Sequence, residues 1–275
     1  TVGAGETFQA ETELCTGTWL NSVDDEWSPE KSKGPNPAVC INIKEADPGD
    51  VLKVNIKNIE LEEFGYTGFD GSSHSLANLI FNKDWGLNTK TVKIEDDYIH
   101  WDNDTKIPVE PMIGTIGVAP ETEILENSKG GAHGGNMDVN EVTIGSSVYL
   151  PVYVEGGLLH LGDVHALQGD GEINGAGGIE CRSQLTLEVD IIKKPDNMNW
   201  VRIENDSFIM TVACCRSVEE SFYEASREIL FWMVSDYGFT EEEAYLLMGE
   251  VMEARCTQFV NPTRTYVCKM HKKYL

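Results

Sequence analysis

The feature that most constrains the fold is a repeated alternation of apolar and polar side chains with a period of two. In residues 51–57, VLKVNIK, apolar residues alternate with Lys and Asn, as a half-buried strand requires. Residues 185–191 alternate in the same way, and the apolar run 148–154 contains Pro151, which indicates an edge strand or a bulge. Many short strands with glycine-rich turns predict a mainly β fold of the sandwich or barrel type.

Helical signals are concentrated near the C-terminus. Ser217 and Glu220 have the spacing of a capping box ahead of apolar residues at helical intervals, and Gly238 stands where that helix should end. Thr240 and Glu243 repeat the capping signal for a second, shorter helix. The C-terminal segment is therefore predicted to be mixed α/β.

The size and charge of the chain limit what it can be. Its 275 residues are ample for a hydrophobic core, so we predict a β-rich core over residues 1–195 and an α+β segment over residues 196–275 packed on the same core. Lys and Arg total 21 against 46 for Asp and Glu, a net charge of -25. Nucleic acids and anionic membranes would be repelled, and neither is expected as a partner.

The cysteines and the N-terminal sequence bear on the cellular compartment. Seven cysteines are scattered with no CxxC pair, which fits neither a disulfide framework nor a structural zinc knuckle. The first residues lack the basic head and apolar centre of a signal peptide, and no run of apolar residues is long enough to span a membrane. Unless a leader precedes Thr1, we expect a cytoplasmic protein.

Two glycine-dominated segments carry the strongest functional signal. They are GGAHGGNMDVN at residues 130–140 and GGLLHLGDVHALQGDGEINGAGGIE at residues 156–180. Repeated glycines allow positive φ angles and close approach of the backbone to a ligand, and most residues between them are potential metal ligands or proton-transfer groups. Such a mixture is unusual in a purely structural loop.

Asp163 and His165 are the clearest pair of candidate ligands within these segments. One residue separates them, so on an extended segment both side chains project from the same face and can hold one ion. The alternative is a hydrogen-bonded pair that stabilises a turn. Residues 170–180 resemble a calcium loop of the EF-hand kind, but Glu180 falls one position early and no flanking helices are predicted. We reject the EF-hand interpretation and keep an acidic cation site as a hypothesis for this segment.

Several other mechanisms lack their sequence signatures. The chain contains no GxSxG elbow, P-loop or dinucleotide fingerprint, and no cysteine stands beside a histidine. Metal-activated water is the chemistry that remains. Two alternatives stay open: a noncatalytic β-sandwich module that binds a cation and a ligand, and a thiol amidase with Cys181 as nucleophile.

Three motifs in the central region resemble those of the acetamidase/formamidase family. They are MIGTIGVAP at residues 112–120, HGGNMD at residues 133–138 and GDVHALQGDGE at residues 162–172, and similarity extends over most of the chain. The resemblance implies hydrolysis of formamide- or acetamide-sized amides to a carboxylic acid and ammonia. It also implies a jelly-roll-like β fold and a homo-oligomer.

The sequence departs from the family near the N-terminus. Family members tend to have Glu-Thr-x-Asp, whereas this chain reads Glu11, Thr12, Glu13 and Leu14. An apolar residue thus replaces the acid. Either Glu13 takes over its role or a site is lost, with altered activity or specificity.

The resulting hypothesis is that the site binds a divalent cation, with zinc as the expected metal and calcium as a candidate second ion. The predicted metal ligands are Asp138, Asp163 and His165. The candidate catalytic residues are Glu180, Glu172 and Asp170, of which the two glutamates are favoured for moving the proton between water and the leaving nitrogen. Residues expected to orient the substrate or a ligand are His133, Asn136 and Gln168.

Overall fold

The computed structural model describes residues 1–33, 36–70, 76, 80, 83, 85–175 and 177–275. These residues form sixteen strands that join one sheet. The strands are β1 (Glu6–Thr12), β2 (Ala38–Ile41), β3 (Asp50–Asp70), β4 (Leu87–Glu95), β5 (Tyr98–His100), β6 (Lys106–Pro108), β7 (Met112–Gly117), β8 (Gly130–Gly131), β9 (Gly134–Asn136), β10 (Ser147–Pro151), β11 (Leu159–His165), β12 (Glu180–Lys193), β13 (Val201–Glu204), β14 (Phe208–Cys215), β15 (Glu253–Gln258) and β16 (Arg264–His271). The C-terminal helices are α1 (Val218–Tyr237) and α2 (Glu241–Val251), and short 3-10 turns occupy Pro29–Lys31 and Lys272–Tyr274.

The sheet is antiparallel and curled. Its main path runs β15-β16-β14-β13-β10-β3-β12-β11-β7-β9-β8, with β1 added to β12, β2 to β11 and β4 to β3. Each pairing between these strands is antiparallel. The predicted class, mainly β with C-terminal helices, is confirmed.

The alternating segments form strands as predicted, with one correction. Residues 51–57 lie within the longer β3, and Leu185 and Leu187 on β12 are fully buried. β10 is not an edge strand, because it pairs with β3 on one side and β13 on the other. Residues 147–149 of β10 pair with β13, and Pro151 is the last residue of β10, beyond this pairing. Its missing N–H therefore interrupts no ladder hydrogen bond to β13.

Both helices begin where the local signals predict, and the first also ends there. The Glu220 N–H donates to Ser217 Oγ at 3.1 Å at the start of α1, and Gly238 follows its end with a left-handed φ of 76°. At the start of α2 the capping box is complete: Glu243 N–H donates to Thr240 Oγ1 at 3.2 Å, and Thr240 N–H donates to Glu243 Oε2 at 3.0 Å.

The sheet continues through the predicted boundary at residue 195. Val201 and Ile203 on β13 share the largest hydrophobic cluster with Val54 and Val148, while α1 packs on the outer face of β14 and β16. A division into residues 1–195 and 196–275 stays a prediction. No helix among the described residues is both long enough and apolar enough to cross a bilayer.

Candidate functional site

Adjacent strands β11 and β12 bring three ionisable side chains into contact. Asp163 and His165 lie on β11, and Glu180 begins β12 directly opposite His165. Nε2 of His165 is 3.0 Å from Oε1 of Glu180 and 3.6 Å from Oδ1 of Asp163. All three side chains are buried. Antiparallel pairing is therefore what joins Glu180 to the Asp163–His165 pair.

Two further carboxylates reach the same point from loops. Asp138 follows β9, and Glu172 lies in the loop between β11 and β12. Potential ligand atoms form two groups, each with its members within 4.8 Å of one another: Asp138, His165 and Glu172, and Cys15, Asp163 and Glu180. We define the acidic cluster as Asp138, Asp163, His165, Glu172 and Glu180.

The backbone around the acidic cluster is held in conformations that most side chains avoid. Asp138, Asp163 and Glu172 have positive φ angles of 51°, 59° and 46°. A Cβ at Gly114 would lie 2.6 Å from Oδ1 of Asp138, so this glycine on β7 allows the carboxylates to approach the strand. Unfavourable φ values persist only where the surroundings impose them, and they are concentrated at functional sites.

Neutral amides hold the two aspartates. With its amide oriented to satisfy its neighbours, Asn136 donates to Oδ2 of Asp163 at 2.6 Å and to Oδ1 of Asp138 at 3.2 Å. Asn36 Nδ2 donates to Oδ2 of Asp163 at 3.1 Å, and Asn261 Nδ2 donates to Oδ2 of Asp138 at 2.6 Å. These donors orient the carboxylates without neutralising their charge.

Gln168 fixes the imidazole of His165. Its Oε1 lies 2.9 Å from Nδ1 of His165, and its Nε2 donates to the carbonyl oxygens of Asp138 and Thr257 at 3.0 and 3.2 Å. Because Gln168 Nε2 is committed to two carbonyls, its oxygen accepts from Nδ1–H, which leaves Nε2 of His165 facing the carboxylates. Such support of the second ring nitrogen is typical of metal-binding histidines.

The acidic cluster is short of both hydrogen bonds and positive charge. Among the described residues, Nε2 of His165 and Oε2 of Glu172 and of Glu180 have no hydrogen-bond partner although they are buried. The 3.0 Å contact between His165 and Glu180 lacks hydrogen-bond alignment. Four carboxylates thus face one imidazole, an arrangement that a buried site cannot support in ionised form without a further cation.

The pKa values reflect this imbalance. Burial, reinforced by Asp163, raises the pKa of Asp138 to about 7. Burial, opposed by His165, raises the pKa of Glu180 to about 7, and burial with Asp138 raises that of Glu172 well above its usual range. Burial lowers the pKa of His165, but the charges of Glu180 and Asp163 outweigh it and raise the pKa above its ordinary value.

The residues present fit a divalent cation. Carboxylate oxygens, an imidazole nitrogen and a thiol sulfur are the donors that zinc accepts. Several of these atoms have no hydrogen-bond partner among the described residues. Gly177 adds to the fit, since a Cβ there would lie 1.8 Å from Oε1 of Glu180 and 3.1 Å from Nε2 of His165. A side chain at this position would fill the space beside both donors.

A cavity of about 380 Å³ adjoins the acidic cluster. Its described lining residues are Cys15, Thr16, Trp27, Ser32, Asn36, Asn136, Asp163, Glu172, Gly175, Gly177, Glu180 and Asn261. This volume is at the small end of the range of about 300–1,000 Å³ for small-molecule sites. Of these residues, Cys15, Asn36 and Asn261 were not predicted from the sequence as part of a site. Asn261 stands beside Pro262 and Cys15 follows the divergent Glu11–Leu14 segment, but neither position indicates that it reaches this cavity.

Two predicted residues lie away from the acidic cluster. Asp170 is exposed, and its Oδ1 accepts a 2.7 Å hydrogen bond from Nε of Arg255. His133 packs its ring 6.2 Å from that of His160 and lines two other cavities, of about 620 and 400 Å³. Burial, reinforced by His160, lowers the pKa of His133 to about 4. The structure therefore gives neither residue a contact with the acidic cluster.

The N-terminal departure and the proposed thiol nucleophile can also be located. Leu14 is fully buried with Leu20 and Tyr66 in a hydrophobic cluster, and neither ligand group contains Glu13. Cys181 is buried on β12, and burial raises the pKa of its thiol to about 12. A thiol that stays protonated at neutral pH is a poor nucleophile, which argues against the Cys181 alternative.

The fold and the site define a mainly β protein in which a buried cluster of carboxylates and one imidazole adjoins a small-molecule cavity. Residues 128–269, slightly more than half of the chain, match the sequence profile of the Acetamidase/Formamidase family. A crystal structure of a predicted acetamidase/formamidase from Thermoanaerobacter tengcongensis superposes with a TM-score of 0.90 at 32% identity, covering 100% of this chain and 89% of that one. The chain belongs to the acetamidase/formamidase family.

Curated relatives show the same relationship over shorter segments. The chain is 38% identical to an acetamidase of Mycolicibacterium smegmatis, over 52% of this chain and 42% of that protein. It is 47% identical to a formamidase of Methylophilus methylotrophus, over 28% of this chain and 18% of that protein. The matches thus span less than half of the length of these relatives.

Proposed function

We propose that this chain is a metal-dependent hydrolase of short aliphatic amides that yields a carboxylic acid and ammonia. One observation carries the proposal: four buried carboxylates and one oriented imidazole, with unused ligand atoms, adjoin a cavity of about 380 Å³. Family membership supports amides as the substrates, because the relatives above are named acetamidase and formamidase.

In this proposal Asp138, His165 and Glu172 hold the cation, with Asp163 beside them. A divalent cation bound there would polarise an amide carbonyl and make a water molecule easier to ionise. The imidazole favours zinc over calcium at this group, and the thiol of Cys15 disfavours calcium at the other, because calcium binds through oxygen. Calcium as a second ion stays a prediction.

Glu180 is the candidate for proton transfer. It lines the cavity, and its Oε2 has no hydrogen-bond partner among the described residues, so this oxygen can accept a proton from the attacking water. As the C–O bond forms and the C–N bond breaks, the same carboxyl group delivers a proton to the departing nitrogen. Glu172 is less suited to this role because it belongs to the ligand group of His165 and Asp138.

Three asparagines complete the site. Asn36, Asn136 and Asn261 line the cavity and hold Asp138 and Asp163 by donating to their carboxylates. Orientation of ligands by neutral donors keeps the negative charge available to a cation. We propose a positioning role for these residues. Assembly as a homo-oligomer and a cytoplasmic location stay predictions.

Ammonia release from formamide and acetamide tests the proposal. The purified protein should release ammonia, lose this activity when its metal is removed by a chelator, and regain it on addition of zinc. Activity that persists in metal-free protein would overturn metal dependence but leave amide hydrolysis standing. A protein that binds zinc yet releases no ammonia from any short amide would instead support the noncatalytic binding module.

A further inference from the structure

We propose that Trp27 determines specificity by forming the wall against which the acyl group of the substrate packs. This inference rests on the proposed amide hydrolysis and names the substrate class of the same site: primary amides with short, unbranched aliphatic acyl groups. The observation behind it is the composition of the cavity beside the acidic cluster. Among its described lining residues, Trp27 is the one large apolar side chain.

The polar lining leaves little choice about where an acyl chain lies. Acidic, amide and hydroxyl groups dominate the rest of the described lining, and these groups suit the carbonyl and the NH₂ of a primary amide. An alkyl group placed against them would bury polar atoms without hydrogen bonds, which is unfavourable. The indole of Trp27 offers an apolar surface instead.

Trp27 is supported from behind as a fixed wall. Its ring stacks on that of Tyr66 with a centroid distance of 6.4 Å and an angle of 27°. Its Nε1–H donates to Oγ of Ser32 at 3.1 Å, so the polar end of the indole has a partner within the protein. Tyr66 is fully buried and packs with Leu14 and Leu20. Leu14, the apolar replacement in the N-terminal motif, thus belongs to the packing behind this wall.

The loop that carries Trp27 is fastened at several points. Oδ2 of Asp25 accepts from the backbone N–H groups of Asn21 and Ser22 at 2.8 and 3.0 Å, and Thr91 Oγ1 donates to the Asp25 carbonyl. Lys33 N–H donates to the Thr16 carbonyl at 3.2 Å and closes the loop. A wall fixed by such contacts sets a limit on acyl size, because it cannot move away without breaking them.

The test compares kcat/KM for formamide, acetamide, propionamide and butyramide in zinc-loaded wild-type protein and in variants. Trp27→Ala should raise the ratio of kcat/KM for butyramide to that for acetamide by at least about tenfold, the effect of one or more methylene groups in an apolar pocket. Trp27→Phe should shift the ratio in the same direction by less, and serves if the alanine variant does not fold.

Trp19→Ala is the matched control. Trp19 packs edge-on against the same Tyr66 with a centroid distance of 4.8 Å, but it is not among the residues that line the cavity. Its removal should leave the acyl-length ratio unchanged even if stability falls. Active Trp27 variants with the wild-type ratio, or a Trp19 variant with the same shift, would overturn the inference. If wild-type protein hydrolyses no amide, the proposed function fails, and calorimetric affinities for the same four amides decide the role of Trp27.

Discussion

Two groups of buried charges in this molecule differ in how they are balanced. In the C-terminal segment, Arg202 and Glu228 are almost completely buried, and Nε of Arg202 donates to Oε1 of Glu228 at 2.7 Å. Oε2 of Glu228 accepts from the backbone N–H of Asn199 at 2.9 Å, and the guanidinium lies 5.1 Å from the ring centroid of Trp232. One charge meets one opposite charge, and both carboxylate oxygens have donors.

The acidic cluster is the opposite case. Four carboxylates share one imidazole, and Oε2 of Glu172 and of Glu180 has no donor in the described part of the chain. Burial of both groups costs desolvation, but in the Arg202–Glu228 pair an opposite charge within the protein offsets part of that cost. The balanced pair is suited to a role in the fold, whereas the excess of carboxylates in the acidic cluster supports the proposed binding of a cation.

The largest expected effect comes from removing the imidazole. His165→Ala should lower amide turnover by more than about 100-fold and reduce bound zinc, since the only neutral nitrogen ligand of the cluster is lost. Ammonia release and elemental analysis measure the two effects, and circular dichroism checks that the fold is retained. Full activity in this variant would remove His165 from the mechanism.

The balanced pair should respond through stability and not through activity. Arg202→Ala leaves Glu228 buried without its cation and should lower the free energy of unfolding by about 3–5 kcal/mol, measured by urea denaturation. The control is the double variant Arg202→Met with Glu228→Leu, which removes both charges and should recover most of the loss. A double variant as unstable as Arg202→Ala would show that the pair stabilises the fold by more than compensation of charge.

Removing a carboxylate from the acidic cluster should raise the free energy of unfolding, whereas Arg202→Ala should lower it. Glu172→Gln removes an ionisable carboxyl group from a site with excess negative charge, so metal-free protein should become more stable by about 1 kcal/mol, a usual size for one substitution. Urea denaturation in the presence of a chelator measures this change. The same variant should gain less stability from added zinc than the wild type. A loss of stability in metal-free protein would contradict the claim of excess negative charge.

The smallest effect is expected outside the acidic cluster, where the partly exposed Arg255 donates to Glu141 through Nη1 and Nη2 at 2.7 and 2.8 Å. Burial raises the pKa of Glu141, but hydrogen bonds and charge from Arg255 outweigh it and lower the pKa below 4.5. The contact with Arg255 therefore stabilises the folded protein at pH values above the pKa of Glu141 in the unfolded chain. This stabilisation is lost as the pH falls through the lower pKa of Glu141 in the folded state. Glu141→Gln should cost about 0.5 kcal/mol at neutral pH.

The pH dependence and a neighbouring residue provide the controls for that variant. The difference between wild type and Glu141→Gln should disappear in acid, where both side chains are uncharged. Glu253 pairs with Lys269 at 3.0 Å but is mostly exposed, so Glu253→Gln should have almost no effect. Equal losses in the two variants would mean that net charge, and not the Arg255 contact, is responsible.

Local signals explain which parts of the fold could be predicted. Capping residues such as Ser217 and Thr240 act within one helical turn, and the alternation in β12 is a property of consecutive residues, so both are visible in the sequence. Strand order is not local: β10 lies between β3 and β13. The prediction of an edge strand at Pro151 failed because the residues near this proline carry no information about how far β13 extends along β10.

The same distinction holds for the site. Asp163 and His165 are two positions apart on one strand, and the sequence places them together. Asn36 and Asn261 reach the cluster from distant segments, and no spacing reveals them. Asp170 shows the reverse: it is close in sequence to Glu172, but Gly171 has a φ of 87° in the turn between them and Asp170 binds Arg255 instead.

Calorimetric titration of metal-free protein with zinc is the direct test of cation binding by the acidic cluster. We expect saturable binding to the wild type, retained in the Arg202→Met, Glu228→Leu double variant and strongly weakened in His165→Ala. Absence of zinc binding to folded wild-type protein, or equal binding to the wild type and His165→Ala, would contradict it.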